Sequence, residues 1–466
     1  STLGSALVRD NLQSKTKKHG ASSQKAKAIK KPGLETRLIA TMLVTRVIDD
    51  SRNLDALCDR QHGVSRFLAL EERDQALARA IAVTALRHKN RIEAVLKIVM
   101  DRPPPKKARH LAHSLLVAAA QILFLEIPDN SAVDLAVTAI GNDDRTKRFR
   151  GLSNAVLRRM VREKEDLLTK TEAVSVFPKW FEQTLRKDYG RVKLGQMAEI
   201  ASKRSSVDLS VKSDPQRWAE ILGGIVLPTG SVRLLDSKPV HTLEGFEDGE
   251  WWVQDAAASM PANLINVSPG SRVLELCAAP GGKTAQLIHA GYDVTALDIS
   301  RPRLNRLGQN LERLKMSAQL VEADILEWEP QSQFDAVLLD APCSSTGTIR
   351  RHPDVMWARN KNEVTELAEL QFRLIKKAMD FVRTDGVFVF SNCSLFKQEG
   401  ENLLARCQSE LEALSLDPIY PEEIGGLSDS VNGQGAVRTL LHHSFNEENP
   451  QLGGLDGFFA CRFVKK

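Results

Sequence analysis

Residues 273–284 read VLELCAAPGGKT, and this stretch decides the fold class expected for the chain. An apolar run with β propensity ends in a turn that contains Pro280, Gly281 and Gly282, and a helix is expected from Lys283 onward. Proline fixes its own φ, whereas the glycines let the backbone turn sharply and approach a ligand closely. A strand, a turn and a helix in this order bring backbone N–H groups and a helix N-terminus against a small polar ligand. The stretch therefore predicts an α/β domain with a binding site at this turn.

Three ligands are compatible with such a turn. Residues 282–284 read GKT, like the end of the phosphate-binding P-loop of kinases and nucleotidases, but the first glycine of that pattern falls on Cys277. The G-x-G-x-x-G pattern of dinucleotide-binding turns is absent as well. The third ligand is S-adenosylmethionine, whose ribose hydroxyls require a carboxylate at the end of the next strand. Asp298 ends the strand expected over residues 292–298, although a single Asp in that position more often caps a helix.

Two further acids follow the next two expected strands. Asp324 comes after the strand expected over residues 318–322, and Asp340 comes after the strand expected over residues 334–339. Asp335 precedes its apolar run, so we expect it to face solvent or to lie in a turn. Because ligands bind at the carboxyl ends of the strands in an open α/β sheet, the glycine turn and the three acids are predicted to form one site.

Two cysteines lie at neighbouring strand ends of the same predicted sheet. Cys343 follows Asp340 in the segment DAPCSSTG, and Cys393 follows the apolar strand expected over residues 386–390. A lone cysteine in such a place usually packs as a small hydrophobic residue. A thiolate has a specific use beside a methyl donor, because C5 of cytosine becomes nucleophilic only after a thiolate adds to C6. Such a cysteine needs a lowered pKa, and the base must leave its stack, which single-stranded RNA permits.

The chain closely resembles the RNA cytosine-5 methyltransferases in the segments LELCAAPGGKT, LDIS, EADILEW, LLDAPCSSTGTIRRHPD and FSNCS. More narrowly, it resembles the bacterial group that acts on small-subunit ribosomal RNA (the Fmu/Sun type), which has a NusB-like N-terminal extension. The resemblance spans roughly Arg37 to the C-terminus. It implies S-adenosylmethionine as the cofactor, and methylation of one cytidine at C5 in small-subunit (16S) ribosomal RNA, either naked or in early assembly. A non-catalytic RNA-binding protein of the antitermination kind is the alternative that the NusB-like half suggests.

The resemblance also implies a role for each residue of the predicted site. Asp298 would hold the ribose, Asp324 would lie beside the adenine, and Asp340 would lie by the methyl donor and the target base. The methionine and ribose side of the cofactor would be lined by Cys277, Ala278, Ala279, Pro280, Gly281, Gly282 and Lys283.

The two cysteines differ in the roles that the resemblance assigns to them. Cys393 matches the nucleophile of the family, and Cys343 matches the cysteine that helps to release the methylated base. DNA cytosine-5 methyltransferases instead attack with the cysteine of the Pro-Cys motif, which would make Cys343 the nucleophile. The chain departs from the family at Asn392, where threonine is usual, and at Ser345, where glycine or alanine is frequent. We expect activity to survive both differences.

The rest of the sequence indicates a multidomain chain. Residues 1–34 form a basic tail that we expect to be disordered, whether solvated, in contact with RNA phosphates or acting as a transit peptide. Residues 35–164 show helical spacing throughout, as in an all-α, NusB-like, RNA-binding bundle, with Asn130 expected as a helix N-cap. Residues 165–252 are predicted to form a small α/β RNA-binding subdomain, and residues 253–466 an α/β Rossmann-like class I methyltransferase domain.

Four smaller features leave alternatives open. The basic residues at the end of the bundle either contact RNA or form a solvated helix face: Arg145, Lys147, Arg148, Arg150, Arg158, Arg159 and Arg162. Trp251 and Trp252 are candidates for base stacking, with at least one expected in the core. Arg350 and Arg351 suit phosphate or base contacts, or else a surface salt bridge. The alternation in residues 457–463 is typical of an antiparallel edge hairpin, with Cys461 packed.

The composition of the chain argues against several other classes of protein. The chain has 466 residues, a net charge of +5 and six cysteines without metal-ligand spacing, so neither a disulfide framework nor a metal site is expected. The longest apolar stretch, residues 115–125, is too short to span a bilayer, and no signal peptide is expected. We therefore expect a cytoplasmic monomer that binds neither membranes nor metals.

Overall fold

The computed structural model describes residues 31–236, 238–444 and 452–466. Most of the predicted basic tail, residues 1–30, lies outside the described residues.

The N-terminal part of the described chain is a helical bundle around one apolar core. Leu43, Ile81, Leu115 and Leu157 are fully or almost fully buried in this core, because apolar residues recur at helical spacing on each helix. The prediction that Asn130 caps a helix is wrong, since the helix begins at Asp129, directly after Pro128. The helices are α1 Leu34–Asp50, α2 Leu54–Leu57, α3 Ser65–Leu68, α4 Glu72–Arg87, α5 Lys89–Val99, α6 Arg109–Phe124, α7 Asp129–Asn142, α8 Arg150–Arg162 and α9 Lys164–Lys170.

A small antiparallel sheet follows the bundle, with strand order β2-β3-β1-β4. Trp251 and Trp252 lie on its last strand and are both buried, so neither is free to stack on a base. Their indole nitrogens donate to the Glu244 carbonyl and to the Gln254 side chain, as buried indoles require. The elements are α10 Lys179–Ala201, which is interrupted at Gly190, β1 Asp208–Val211, α11 Pro215–Leu222, β2 Gly224–Val226, β3 Val232–Leu234 and β4 Trp251–Val253.

The C-terminal part is an open sheet covered by helices, with strand order β10-β12-β9-β8-β5-β6-β7 and β11 paired to β12. The contacts β7-β6-β5-β8-β9 are parallel, and those of β12 are antiparallel. The predicted fold class, a helical domain followed by a Rossmann-like domain, is confirmed. The elements are α12 Met260–Asn263, β5 Arg272–Leu276, α13 Gly282–His289, β6 Asp293–Asp298, α14 Arg301–Arg313, β7 Gln319–Glu322, β8 Phe334–Asp340, α15 Val355–Ala358, α16 Lys361–Ala378, β9 Val382–Asn392, α17 Glu401–Glu410, β10 Leu414–Leu416, β11 Val437–Thr439 and β12 Phe458–Lys465.

The last strand corrects one expectation. β12 is not at an edge, because it pairs with β9 on one side and with β10 and β11 on the other. Its residue Arg462 is buried and pairs with Asp417 and Glu423. Cys461 is packed in the core, as predicted.

The helical bundle contacts the segment that follows the Cys343 turn. The Asp354 carboxylate accepts a hydrogen bond of 3.0 Å from the backbone N–H of Leu54. The Trp357 indole donates to the Leu86 carbonyl at 2.7 Å, and the Lys89 ammonium lies 4.5 Å from the centre of the Trp357 ring. Within the described residues, no helix is both long enough and apolar enough to cross a membrane.

Candidate functional site

The carboxyl ends of the parallel strands open into a cavity of about 600 Å³. Among the residues predicted for the site, Asp298, Asp324, Asp340 and both cysteines, Cys343 and Cys393, line this cavity. Cys277 and Ala279 line it as well, whereas the neighbouring residues Ala278, Pro280, Gly281, Gly282 and Lys283 are not among its described lining residues. Ser345, noted in the sequence as a departure from the family, also lines the cavity. The lining residues that the sequence did not single out are Leu297, Ile299, Arg303, Ala323, Ile325, Leu326, Ala341, Pro342, Arg359, Leu367, Leu370 and Leu374.

The turn after β5 forms part of the wall of this cavity. Gly281 has φ 101°, and a Cβ atom there would lie 2.8 Å from Cγ of Leu307 on α14, so glycine is required by both conformation and packing. Cys277 also has a positive φ, of 60°. Burial raises the pKa of the Cys277 thiol to about 12, so this cysteine is a neutral wall of the cavity.

Asp298 is buried, and its carboxylate is fixed by backbone donors. One oxygen accepts from the N–H of Ser300 at 3.0 Å, and the other accepts from the N–H of Ala279 at 3.2 Å. Each carboxylate oxygen has a second acceptor site, which leaves capacity for the two hydroxyls of a ribose. The exposed side chain of Ile299 stands beside it and offers an apolar surface to a planar ring.

Asp324 lies beyond β7, where its carboxylate accepts from the backbone N–H of Leu326 at 2.9 Å. Asp298, Ile299 and Asp324 thus place two carboxylates and one apolar side chain along the same cavity.

Lys283 contacts Asp340, one of the residues that line the cavity. Its ammonium lies 2.6 Å from one oxygen of Asp340, and the other oxygen accepts from the Ser391 hydroxyl at 2.9 Å. Burial works against the charge on Lys283, but the contact with Asp340 raises the pKa of this ammonium above its usual value. Lys283 therefore stays charged and brings a positive group under the cysteines, a role different from the predicted lining of the cofactor.

The two cysteine sulfurs lie 3.4 Å apart, within hydrogen-bond distance. The hydrogen bond from Cys343 lowers the pKa of Cys393, and Ser345 and Lys283 act in the same direction against burial and Asp340. The same hydrogen bond, together with burial, raises the pKa of Cys343 well above its usual value. The directions of the two shifts favour Cys393 as the sulfur that ionises more readily.

Ser345, which we expected activity to tolerate, also takes part in the geometry and hydrogen bonding of the cysteine turn. It has φ 58°, the left-handed conformation in which glycine is easiest to accommodate, and its side chain hydrogen-bonds to Cys393. Asn392 is fully buried, and its amide group donates to Gln371 at 3.1 Å and to the Glu399 carbonyl at 2.7 Å. Its oxygen accepts from the N–H of Ser394, so asparagine holds the turn in the position where the family usually has threonine.

Arg350 and Arg351 form ion pairs with two buried acids and not a surface salt bridge, and their contact with a phosphate or a base stays a prediction. Arg350 is buried and pairs with Asp255 at 2.7 Å, while Arg351 donates to Asp456 at 2.7 Å. Both acids come from distant parts of the chain, so nothing in the local sequence revealed these partners. The described residues contain no group of His, Cys, Asp or Glu side chains that could hold a metal ion.

The chain is similar to known proteins over most of its length. A family profile described as "16S rRNA methyltransferase RsmB/F" matches residues 262–464, and a profile of the NusB family matches residues 13–162. A protein named "Ribosomal RNA small subunit methyltransferase B" from Escherichia coli (strain SMS-3-5 / SECEC) is 32% identical over 451 residues, covering 92% of this chain and 98% of its own. The protein of that name from Cronobacter sakazakii (strain ATCC BAA-894) is 30% identical over 456 residues, covering 94% of this chain and 100% of its own.

Solved structures share the fold. The crystal structure of PH0851 superposes with a TM-score of 0.70 and 22% identity, covering 94% of this chain and all of that one. The structure of NSun6 from Pyrococcus horikoshii has a TM-score of 0.52 and 17% identity, covering 62% of this chain and 98% of that one. At these identities the likeness concerns the fold.

Proposed function

Because the chain belongs to the RsmB/F family of 16S rRNA methyltransferases, we propose that it methylates C5 of a cytidine in small-subunit ribosomal RNA through a covalent cysteine adduct. S-adenosylmethionine, the cofactor predicted from the sequence, is confirmed by this membership. The observation that carries the finer proposal is the pair of cysteine sulfurs 3.4 Å apart in the cavity, with opposite pKa shifts. The relatives named "Ribosomal RNA small subunit methyltransferase B" support the choice of RNA.

The cofactor would occupy the part of the cavity beside the turn after β5. Asp298 would accept both ribose hydroxyls, Ile299 would cover the adenine ring, and Asp324 would bind at its edge. When bound there, S-adenosylmethionine supplies an electrophilic methyl group. Cys277 and Ala279 would line the methionine side without adding charge.

Cys393 would attack the base. Its thiolate forms a bond to C6, and the electron pair of the C5–C6 double bond moves to C5, which makes C5 able to accept the methyl group. A base then removes the proton from C5, the electron pair restores the double bond, and the thiolate leaves. The attack requires the sulfur with the lower pKa, and the direction of the two shifts favours Cys393 over Cys343.

Cys343 would assist the last step. Its sulfur lies 3.4 Å from the Cys393 sulfur, and an S–H group on Cys343 would donate across this distance. The same donor would stabilise the thiolate as it departs from C6, because a hydrogen bond to an ionised acceptor is stronger than one to a neutral acceptor. Cys343 therefore contributes to release of the methylated base and is not required for attack.

The direct test is methyl transfer from labelled S-adenosylmethionine to unmodified small-subunit ribosomal RNA, followed by nucleoside analysis. Labelled 5-methylcytidine is the expected product. The matched control is Cys461→Ala, which removes a buried cysteine from β12, away from the cavity. Transfer to any other position, or to no nucleoside on naked RNA and on early assembly particles alike, would overturn the proposal.

A further inference from the structure

A buried carboxylate joins the two cysteine turns from behind. Glu399 is fully buried, and it accepts hydrogen bonds from the serine that follows each cysteine. The N–H and hydroxyl of Ser344 donate to its two oxygens at 2.9 and 2.6 Å, and the hydroxyl of Ser394 donates to the second oxygen. The Gln371 side chain adds a donor at 2.9 Å. The carboxylate therefore spans the turns that carry Cys343 and Cys393.

Glu399 is itself fixed in place. Its carbonyl accepts from the Asn392 side chain at 2.7 Å, and Gln371 also donates to the carbonyl of Pro342 at 3.0 Å. These contacts fix the backbone of Glu399 and the side chain of Gln371 beside the two cysteine turns.

The chemistry of this carboxylate is unusual for a buried charge. Among the described residues, no lysine, arginine or histidine forms an ion pair with Glu399, so its charge is balanced by hydrogen-bond donors alone. Burying a carboxylate is costly unless several donors point at it, and here the donors belong to the two cysteine turns and to Gln371. Separation of the turns would leave this charge without its donors, so Glu399 opposes their separation.

We propose that Glu399 is a positioning residue that holds the two cysteine turns together and keeps Cys343 as the hydrogen-bond donor to Cys393. This inference rests on the proposed function for the order of events, but the arrangement of the sulfurs can be measured without RNA. Glu399 does not line the cavity, so it acts through the turns and not on the substrate.

The charge of Glu399 favours the same arrangement of the two cysteines as its hydrogen bonds do. The hydrogen bond to Cys393 and burial are the main causes of the raised pKa of Cys343, and the Glu399 carboxylate raises it further. Removal of the carboxylate therefore favours ionisation of Cys343 and weakens the difference between the two sulfurs. Each unit by which a thiol pKa falls increases its thiolate fraction about tenfold.

The experiment compares Glu399→Gln with the wild type and with Glu423→Gln. Glu423 is a matched control, because it is a partly buried carboxylate that pairs with Arg462 away from the cysteine turns. Iodoacetamide would be applied to the full chain without RNA, at several pH values around the ordinary thiol pKa of about 8.5, and alkylation of each cysteine followed by peptide mass spectrometry. Wild type and control should alkylate Cys393 first, whereas Glu399→Gln should lose this preference.

The second readout uses RNA. Glu399→Gln should accumulate a covalent RNA adduct on denaturing gels, because Cys343 no longer supports release, and kcat should fall more than KM changes. If Glu399→Gln keeps both the wild-type alkylation preference and the wild-type adduct level, the inference is wrong. If this variant does not fold, Ser344→Ala decides by the same readouts, since it removes one side-chain donor and retains the backbone bond to Glu399.

The outcomes separate this inference from the proposed function. A changed alkylation preference in a chain that makes no 5-methylcytidine would leave the role of Glu399 standing and overturn the reaction. Normal formation of 5-methylcytidine with unchanged alkylation in Glu399→Gln would support the reaction and overturn the role of Glu399.

Discussion

Two cysteines of identical chemistry are made different by their surroundings. Cys343 is more deeply buried and has a raised pKa, while the pKa of Cys393 is lowered by its contact with Cys343 and by Ser345 and Lys283. Cys393→Ala should abolish methyl transfer and all covalent capture of RNA, with S-adenosylmethionine binding intact. Cys343→Ala should instead trap RNA on Cys393, visible as a slower band on denaturing gels. Capture of RNA by Cys393→Ala would show that Cys343 is the attacking sulfur.

The ammonium of Lys283 gives a prediction about pH. Lys283→Gln removes a positive charge that lowers the pKa of Cys393, and it frees Asp340, whose charge raises that pKa. Both changes move the pKa of Cys393 upward, so the alkylation rate of Cys393 should fall at neutral pH and recover as the pH rises. Lys465→Gln is the control, because Lys465 donates to the carbonyl of Val382, at the opposite end of β9 from Cys393. An unchanged pH profile would exclude an electrostatic role for Lys283.

The acids and cysteines of the site could be predicted from the sequence because each lies at the end of a strand or shortly after it. Asp298, Asp340 and Cys393 needed only the rule that parallel strands end at the same edge of the sheet. Glu399 and Gln371 could not be found in this way, since they enter from behind the sheet on a turn and on α16. Arg350 was misjudged for the same reason, because its partner Asp255 lies 95 residues away in the sequence.

Helix α8 presents a stripe of unpaired basic groups at the scale of a whole element. Arg150, Arg158 and Arg162 line a cleft of about 670 Å³ against α7, and they are spaced in multiples of four so that they share one helix face. Within the described residues, none of the three has an acidic partner, whereas Asp134 in the same cleft is paired with Lys31. This arrangement suits the phosphates of RNA better than a solvated face that carries its own counter-charges.

Replacement of these three arginines by glutamine should weaken RNA binding and reduce its dependence on salt. Each lost phosphate contact lowers the slope of log affinity against log salt by about 0.7 for a single strand. The control carries Arg66→Gln, Arg145→Gln and Arg186→Gln, since these arginines are exposed but paired with Glu35, Asp143 and Glu182. Equal slopes for the two triple variants, measured by filter binding at several salt concentrations, would mean that the three arginines of α8 face solvent and do not contact RNA.

Whether a segment forms a helix or a strand was easier to predict from the sequence than which other elements lie beside it. The strand expected over residues 292–298, for example, is β6 Asp293–Asp298 in the structure. Alternation along β12 indicated a strand but carried no information on how many strands flank it. Contacts made after a long separation in the sequence, such as β12 with β9, are therefore the part of the fold that local patterns miss.

At the scale of the molecule, the helical bundle and the catalytic domain are linked through the segment that bears Cys343. Asp354 and Trp357 contact the bundle, and the Arg87 guanidinium donates at 3.0 Å to the carbonyls of both Ala201 and Arg350. The same short segment thus leads from the cysteine turn to the bundle. RNA bound to the α8 stripe and RNA bound in the cavity would therefore be held by parts of the chain that contact each other.

The stability of the whole chain should depend on one buried acid beneath the site. Burial raises the pKa of Glu275 from near 4.5 to about 8, with the Thr284 hydroxyl as its hydrogen-bond partner. A raised pKa in the folded state means that folding favours the protonated form. Its contribution is therefore fully present below about 4.5 and is lost as the pH rises to about 8. Each unit of pKa difference is worth about 1.4 kcal/mol in the free energy of unfolding.

Glu275→Gln should remove this dependence, because an amide keeps the shape and the hydrogen bond but cannot ionise. Urea unfolding at several pH values between about 4.5 and 8 should show a falling midpoint for the wild type and a flatter one for the variant. Glu366→Gln, on the exposed face of α16, is the control and should follow the wild type. A variant that loses stability with pH as steeply as the wild type would mean that Glu275 is ionised in the folded protein, with Lys283 balancing two carboxylates beneath the cysteines.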